Sequence, residues 1–348
     1  MKKHAVYGAI VALLMSCSDQ IEEPLGQSPI QDFEPSTYCG SDDAMKSHFA
    51  NNAGALAQHN AFETFTANFI ADPSRKSART ATTYIPVVFH VYGTDFAGKT
   101  VTEQTIATAL EKVNEDFNGQ NPDFDTVDPF FQDRRGIANT YFKLAQRDPN
   151  GNPTSGVVFH PEKNGYGNRS SDAEVAADAW DNYKYCNVYI QLDLYDNNQL
   201  NNSGVAWYPD ASMSDANTAR IVFNGRYLYG NTDDEFASTL SHEFGHWLNL
   251  IHTFEGGCSR RNINSCSTTG DKVCDTPQNK YTSRMGCNYT RNNCVGEKIN
   301  LENYMDYVGA GGCYKMFTQG QIDRMDAALM HASRFDLWQP GNLSDTGI

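Results

Sequence analysis

The pattern of apolar and polar positions changes near residue 84, where we expect a compact domain to begin. Residues Tyr84–Tyr92 form a run rich in β-branched and aromatic side chains, which predicts a buried strand. Further along, apolar side chains recur at steps of four, three and four residues, at Ile106, Leu110, Val113 and Phe117. This spacing places them on one helix face, so we expect an amphipathic helix over Thr102–Asn118 with Thr102 near its cap.

The remaining pattern predicts a sheet followed by helices. The segments that favour strands are 137–145, 186–194, 203–208 and 219–223. One long helix is expected after residue 232, and the chain is then rich in Gly, Asn, Ser and Cys until a final helix begins at Gln319. This order predicts an α+β domain: a twisted mixed sheet with two main helices in the upper half, and an irregular, disulfide-rich lower half ending in a helix.

The first residues of the chain have the pattern of a secretory signal peptide. Two lysines precede the apolar stretch Ala5–Met15, which is too short to span a bilayer. The Leu-Met-Ser-Cys sequence that ends at Cys17 resembles a bacterial lipobox, in which Cys17 would carry the lipid anchor. The alternative is an ordinary signal peptide in which this cysteine occurs by chance.

A polar region separates this leader from the compact domain. Residues 18–35 are acidic and contain prolines, as is typical of a flexible tether. Residues 36–78 are polar with scattered aromatic side chains, and the basic cluster Arg75, Lys76 and Arg79 suggests a cleavage site at the end of a removable segment. The predicted parts are a signal peptide (1–16), a lipid-anchored tether and pro-segment (17–79) and a compact domain (80–348).

Composition limits the possible partners. The chain has 348 residues, of which 40% are hydrophobic, so a sizeable core is expected. The 42 acidic and 27 basic residues give a net charge of −15, and no basic block is present, so nucleic acid is not an expected partner. We expect an exported monomer that touches a membrane only through its anchor.

Cysteine usage supports export. Six of the nine cysteines crowd into the last quarter of the chain, at Cys258, Cys266, Cys274, Cys287, Cys294 and Cys313. Such density outside the cytosol indicates disulfides. A cysteine-rich zinc knuckle is the competing interpretation, but the spacings are irregular and the sequence contains no C-x-x-C pair.

The predicted long helix carries the pattern of a hydrolytic metal site. His242 and His246 are four residues apart, so both imidazoles project from one helix face and can bind one zinc ion. Glu243 stands next to the first histidine, where a carboxylate can act as the general base for the attacking water. The alternative is a helix whose histidines are satisfied core residues.

His252 is the candidate for the third zinc ligand, but an unbroken helix would aim it away from the metal. At about 100° per residue it would lie roughly 280° around the helix from His242. The chain must therefore turn sharply between His246 and His252. Asn249 is the expected pivot, because asparagine tolerates the left-handed conformation that ends a helix.

These residues resemble the metzincin metallopeptidases, whose H-E-x-x-H-x-x-G-x-x-H motif precedes a methionine-containing turn. Asn249 departs from the usual glycine. The segment Asn303–Tyr307 matches the methionine turn. Together with the His-Thr-Phe sequence that begins at His252 and the Gly270–Pro277 segment, it resembles the pappalysin (cytophagalysin) family over about residues 83–329.

The resemblance implies a metzincin-like catalytic domain and roles for several more residues. Met305 would lie beneath the zinc site, and Tyr307 would stabilise the oxyanion. An edge strand above the cleft would bind an extended peptide through Gly204, Val205, Ala206 and Trp207. An ordinary edge strand is the alternative for this segment.

The lower half would hold structural features of the same family. The resemblance implies a structural Ca²⁺ in the Gly270–Pro277 loop, with a metal-free Asx-turn loop as the alternative. It also implies disulfides between Cys258 and Cys294 and between Cys287 and Cys313. Cys266 and Cys274 then remain as a local pair.

Two cysteines lie outside this set. Cys186 begins a predicted core strand, where a free thiol behaves as a small apolar group. Cys39 resembles the cysteine switch of related zymogens, in which a pro-segment thiolate occupies the open zinc position. A Cys39–Cys186 disulfide is the alternative. If Cys39 does gate the zinc, cleavage at 75–80 would remove it and free the domain from the lipid on Cys17.

The residue preference of the site is open on sequence alone. Close relatives accept Arg or Lys through an acidic residue just before the cysteine that follows the methionine turn, but residues 308–313 contain no acid. The basic cluster at 75–79 would fit such a preference if activation were autocatalytic. The two observations disagree.

Together these observations predict a zinc-dependent endopeptidase that acts on proteins or peptides and is made as a zymogen. One rival hypothesis is a non-catalytic surface binding module that retains the zinc scaffold. The presence of Glu243 argues against it, because a binding module needs no general base. The other rival is a metzincin of a different branch.

Overall fold

A computed structural model describes residues 36–72, 74, 81–259, 265–280, 290–308 and 313–348. The predicted signal peptide, the lipobox cysteine, the whole basic cluster and Cys287 lie outside the described residues. All described residues belong to one unit, Phe33–Ile348.

A mixed sheet of seven strands forms the frame of this described part. The strands are β1 (Ser36–Cys39), β2 (Thr83–Tyr92), β3 (Thr140–Leu144), β4 (Val157–His160), β5 (Cys186–Gln191), β6 (Asn202–Ala206) and β7 (Ile221–Asn224). Their order is β1-β6-β7-β5-β2-β3, and β4 also pairs with β2. Strand β6 runs antiparallel to β7, whereas the other pairs are parallel. The predicted mixed sheet is confirmed.

Ten α-helices accompany the sheet in the same residues. They are α1 (Ser41–Asn51), α2 (Ala53–Ala71), α3 (Glu103–Phe117), α4 (Asp172–Asp178), α5 (Ala211–Asp215), α6 (Asp234–Ala237), α7 (Thr239–Trp247), α8 (Gln319–Leu329), α9 (Ala332–Phe335) and α10 (Pro340–Thr346). None of the helices in the described ranges combines the length and apolarity needed to cross a membrane.

Helix α3 forms as its sequence predicts. The Thr102 side chain accepts a hydrogen bond from the Thr105 N–H at 3.2 Å and caps the helix. Its apolar stripe is buried in the main core together with alternate side chains of β2 and with Phe244 of α7. The stripe therefore packs the helix between the sheet and the helix that carries the candidate site.

The predicted long helix is divided in two. Asp233 caps α6 by accepting a hydrogen bond from the Phe236 N–H at 2.8 Å. The helix then closes at Ser238, whose N–H bonds back to Glu235 and Phe236, and α7 starts at Thr239. The single helix that was predicted is therefore two helices, joined at Ser238.

The region between 36 and 72 is more ordered than its polar composition predicts. It forms β1, α1 and α2. Only a few of its apolar side chains are buried, among them Met45, Ala55 and Phe62. Strand β4 was also not predicted. In both cases tertiary packing, and not local apolar periodicity, determines the structure.

Candidate metal centre

Helix α7 presents His242 and His246 from one buried face. Their fractional exposures are 5% and 0%, and their ring centroids lie 4.6 Å apart. The side chains belong on one face because residues four apart in a helix are neighbours. The helix thus supplies two of the three predicted imidazoles.

A left-handed residue brings in the third histidine. Asn249 has φ of 70°, and the Leu250 N–H donates to Gly245 O at 2.9 Å, closing the turn. This is the conformation that commonly ends a helix with Gly or Asn. The chain then reverses, so that His252 lies with its ring 4.4 Å from that of His246. The predicted pivot at Asn249 is confirmed.

Hydrogen bonds fix the tautomers of all three rings. Each Nδ1–H donates to an oxygen: His242 to Tyr304 O at 2.6 Å, His246 to Leu250 O at 2.7 Å and His252 to Asp42 Oδ2 at 2.7 Å. The Nε2 atoms, which then carry lone pairs, lie 2.9, 3.0 and 3.1 Å from one another. Three lone pairs so close together repel unless a cation lies between them.

This donor set fits zinc. Zn–N bonds of about 2.0–2.1 Å place tetrahedral nitrogens roughly 3.3 Å apart, close to the separations observed. Burial, and then the neighbouring imidazoles, lower the pKa of His242. The same causes lower the pKa of His246 to about 3. Both rings are therefore neutral, which is the form that binds a metal.

Cys39 completes a four-residue cluster. Its Sγ and the ligand nitrogens of His242, His246 and His252 all lie within 4.8 Å of one another. Cys39 and Cys186 are both free thiols, so they do not form the alternative disulfide. Burial, and then the nearby Glu243, raise the pKa of the Cys39 thiol. The cluster therefore combines three imidazoles with one sulfur from the N-terminal region of the described chain.

Glu243 faces the same centre from α7. It is fully buried, with Oε2 3.4 Å from Cys39 Sγ and 3.5 Å from Ser41 Oγ. Burial raises the pKa of Glu243 to about 8. The carboxylate packs against β6 so closely that a Cβ on Gly204 would lie 2.5 Å from Glu243 Oε1.

The methionine turn lies against the site. Met305 is fully buried, and its Sδ would be 2.6 Å from a Cβ on Gly245, so this helical glycine lets the turn approach. Tyr307 has its ring 4.7 Å from that of His252. Its hydroxyl donates to Cys39 O at 3.0 Å and accepts from the Cys39 N–H at 2.7 Å. The predicted oxyanion donor is thus engaged by the backbone of Cys39.

The predicted peptide-binding edge is not exposed in this structure. Strand β1 pairs in parallel with β6, with Cys39 opposite Gly204, and Ser41 Oγ accepts from the Ala206 N–H at 2.9 Å. Gly204, Val205 and Ala206 belong to β6, whereas Trp207 follows it and is buried beneath the Arg220 guanidinium at 4.0 Å. Among the described residues β1 therefore forms the edge of the sheet, and the peptide-binding role of β6 stays a prediction.

Two carboxylates that the sequence analysis missed support the centre. Asp42 of α1 accepts the His252 hydrogen bond described above. Asp116 of α3 accepts from Ser241 Oγ at 2.6 Å, from Tyr304 OH at 2.9 Å and from Lys112 Nζ at 2.9 Å. An aspartate between Val113 and Phe117 on the apolar stripe of α3 was a usable signal. Asp42 gave none, because its partner is 210 residues away.

The lower half contains the two disulfides Cys258–Cys294 and Cys266–Cys274, as predicted. The predicted Cys287–Cys313 pair stays a prediction, because Cys287 lies outside the described residues. In the Gly270–Pro277 loop, the Thr276 hydroxyl donates to Asp271 Oδ2 at 2.5 Å and lies 3.0 Å from Val273 O. Residues 309–312, which bear on side-chain preference, are also outside the described ranges.

Sequence comparisons point to peptidases. A peptidase family model described as pregnancy-associated plasma protein-A matches residues 169–330. An extracellular metalloprotease of Verticillium alfalfae is 36% identical over 152 residues, which cover 41% of this chain and 48% of that protein. An extracellular metalloprotease 1 of Coccidioides posadasii is 40% identical over 94 residues, covering 27% and 30% respectively. The chain spans about half, or less, of the length of these curated relatives.

Solved structures agree on the fold. A promirolysin variant of Tannerella forsythia superimposes with a TM-score of 0.67 at 22% identity, covering 87% of this chain and 97% of that one. Mature mirolysin of the same organism, in complex with a cleaved peptide, gives a TM-score of 0.60 at 26% identity, covering 75% and 100%. The predicted metzincin-like fold and the resemblance to the pappalysin family are confirmed.

Proposed function

Because residues 169–330 carry the pattern of the pappalysin peptidase family, we propose that this chain is an exported zinc-dependent endopeptidase acting on proteins or peptides. One observation carries the proposal: three imidazole Nε2 atoms within 3.1 Å of one another, with the Glu243 carboxylate beside them. A binding module would need the zinc scaffold but not a buried carboxylate aimed at it.

Each residue of the site would have its own role in catalysis. Zinc held by His242, His246 and His252 would supply a Lewis acid that polarises the scissile carbonyl and acidifies water. Glu243 takes the proton of the attacking water and passes it to the leaving amine. The Tyr307 hydroxyl, once released from Cys39, donates to the developing oxyanion. Strand β6 holds the substrate backbone by strand addition through the edge that β1 now fills.

A peptide-library digestion tests this function. The activated chain, cut near residue 80, is compared with its Glu243→Ala variant and with chain stripped by a zinc chelator. We expect cleavage by the untreated chain, a loss of at least about a thousandfold in the variant, and recovery of the stripped chain on adding zinc. Cleavage that persists in the variant would contradict the assignment. Folded, zinc-loaded chain that cleaves nothing would favour the binding module.

We further propose that residues 17–79 form a latency segment with Cys39 as the fourth zinc ligand. Three contacts support this: the Cys39 sulfur at the histidine cluster, the Cys39 backbone on Tyr307, and β1 on β6. Each of them occupies a group that the mechanism needs. Cleavage between residues 75 and 80 would release all three at once.

Replacement of Cys39 tests latency. We expect Cys39→Ala to shorten the lag before peptidase activity appears, because the open zinc position is no longer filled. Cys186→Ala is the matched control: this thiol is equally buried but lies in the core, away from the zinc site. An unchanged lag in Cys39→Ala, or an equal shortening in both variants, would contradict the switch.

The Gly270–Pro277 loop is proposed to hold a structural calcium ion. Asp271, Val273 and Thr276 offer a carboxylate, a carbonyl and a hydroxyl oxygen close together, which is the donor chemistry that calcium prefers. A calcium-selective chelator should lower the melting temperature of the wild type but not of Asp271→Asn. An equal shift in both proteins would exclude this loop.

We propose export to the cell envelope with a lipid on Cys17, followed by release of the catalytic domain when the pro-segment is cut. Metabolic labelling with a fatty acid should mark the uncut chain but not Cys17→Ser. Label on an active species that starts near residue 80 would contradict release by cleavage. A monomer is expected in solution.

A further inference from the structure

Glu63 of helix α2 is buried against the catalytic domain. In sequence it is well separated from Cys39, the proposed zinc ligand. Its two oxygens bind Arg324 at 2.9 and 3.2 Å, Lys272 at 2.9 Å and the Asn249 amide at 3.1 Å. The side chains of Glu63 and Arg324 are only 11% and 2% exposed. A nearly buried carboxylate that accepts hydrogen bonds from four donors occupies a specific binding site, unlike the carboxylate of an exposed surface ion pair.

One donor of this site, Arg324, is also held by a partner other than Glu63. Arg324 also donates from Nε and an Nη to Asn249 O at 3.1 and 3.0 Å, which ties it to the turn between the zinc ligands. Lys272 lies in the loop next to the Cys266–Cys274 disulfide. Burial alone would raise the pKa of Glu63, but Arg324 and Lys272 outweigh it and lower this pKa to about 2.

The face of α2 that carries Glu63 borders this site. Glu63, Thr66, Ala67 and Ile70 line a cavity of about 440 Å³ that remains between α2 and the residues Lys272, Val273, Gly320 and Arg324. The first four are spaced at zero, three, four and seven residues, as in an amphipathic helix laid in a groove. The rest of the chain therefore meets one face of α2, the face that carries Glu63.

We propose that Arg324, Lys272 and Asn249 form a carboxylate-binding site for a glutamate on an amphipathic helix. In the uncut chain Glu63 fills it and holds the pro-segment independently of Cys39. After cleavage, the site takes the same helix, residues 52–72 of the released pro-segment, in trans. This inference rests on the proposed removal of the pro-segment.

The first test measures how long a cut pro-segment stays bound. A full chain with Glu243→Ala and Cys39→Ser receives a site-specific protease sequence in place of residues 75–80 and is cut after folding. We expect Glu63→Gln to speed loss of the pro-segment at least tenfold, and Lys272→Gln to do the same. The two changes combined should add little, because they break one interaction. Gln58→Ala, on the exposed face of α2, is the control and should change nothing.

The second test measures binding in trans. The same chain, freed of its pro-segment and checked for zinc content and circular dichroism, is titrated with fluorescent peptide 52–72. We expect saturable anisotropy that is at least tenfold weaker for the Glu63→Gln peptide. Equal retention of the unchanged segment and the Glu63→Gln segment in the first test would overturn the site; equal peptide affinities here would overturn the ligand in trans. Neither test needs peptidase activity, so failure of the proposed function would not alter them.

Discussion

At the scale of single residues, Asn249 decides whether three histidines can meet. Its φ of 70° is tolerated by asparagine and glycine but costs a β-branched residue about 1–2 kcal/mol or more. We expect Asn249→Gly to bind zinc about as tightly as the wild type and Asn249→Val to bind it at least about tenfold more weakly. Competition with a chromophoric chelator measures this. Equal affinities in the two variants would mean that the turn is not the determinant.

Gly204 has a comparable effect on the general base. An added methyl group would lie 2.5–2.7 Å from three atoms of the Glu243 side chain, so Gly204→Ala must displace the carboxylate. We expect kcat to fall about a hundredfold with zinc content unchanged. Gly341→Ala is the control, because no atom lies within 4 Å of its added Cβ. A variant at Gly204 with wild-type kcat would show that Glu243 adjusts freely.

The motif residues could be predicted from sequence because their geometry is local. Spacing alone put His242, Glu243 and His246 on one helix face, and the known tolerance of asparagine allowed the turn to His252. Asp42 and Glu63 could not be predicted in this way. Asp42 bonds to His252, which is 210 residues away, and Glu63 bonds to Arg324, which is 261 residues away. The local sequence pattern contains no information about contacts between such distant positions.

At the scale of elements, α6 carries a carboxyl group that opposes folding at neutral pH. Burial, and then Asp123, raise the pKa of Glu235 to about 7, while Lys315 and Lys112 oppose the rise. The folded-state pKa lies above the unfolded value, so the stability of the wild type falls as pH rises from about 4.5 to about 7. Glu235→Gln should remove this fall, a relative gain on the order of 1 kcal/mol after allowance for partial exposure. Urea unfolding at about pH 5 and pH 8 checks it; a gain that is equal at both would contradict the assignment.

Asp116 links α3, the zinc-binding helix and the methionine turn through one carboxylate. Asp116→Ala would leave Lys112, Ser241 and Tyr304 without this acceptor, so we expect a loss of about 3 kcal/mol in unfolding free energy. Asp125→Ala removes a pair whose carboxylate is 93% exposed and should cost less than about 0.5 kcal/mol. Similar costs in the two variants would show that the buried link contributes little.

Elements with strong periodicity were predictable, and those shaped by packing were not. Helix α3 and strand β2 follow from apolar spacing, because one buried face or a continuous buried run leaves a clear pattern. The break at Ser238 could not be predicted, because the apolar periodicity of residues 234–247 is compatible with one helix. Helices α1 and α2 have few buried apolar residues, so their sequence resembles a polar linker.

At the scale of the whole molecule, residues 36–72 cover both the histidine cluster and strand β6. Strand β1 extends the sheet beside β6, α1 supplies Asp42 to a zinc ligand, and α2 places Glu63 in its own site. The sequence predicted a removable segment and a thiol at the zinc. It did not predict that the same segment covers the predicted peptide-binding edge, because strand addition depends on backbone groups that any sequence possesses.

We propose that the uncut chain holds a latent zinc peptidase centre, in which three histidines bind the metal and Cys39 closes the fourth position. Zinc-edge X-ray absorption on the uncut, zinc-loaded chain tests it most directly. We predict three nitrogen neighbours at about 2.0–2.1 Å and one sulfur at about 2.3 Å, with the sulfur lost in Cys39→Ser and after removal of the pro-segment. A spectrum without sulfur in the uncut chain, or with sulfur that survives both changes, would show that Cys39 does not bind the zinc.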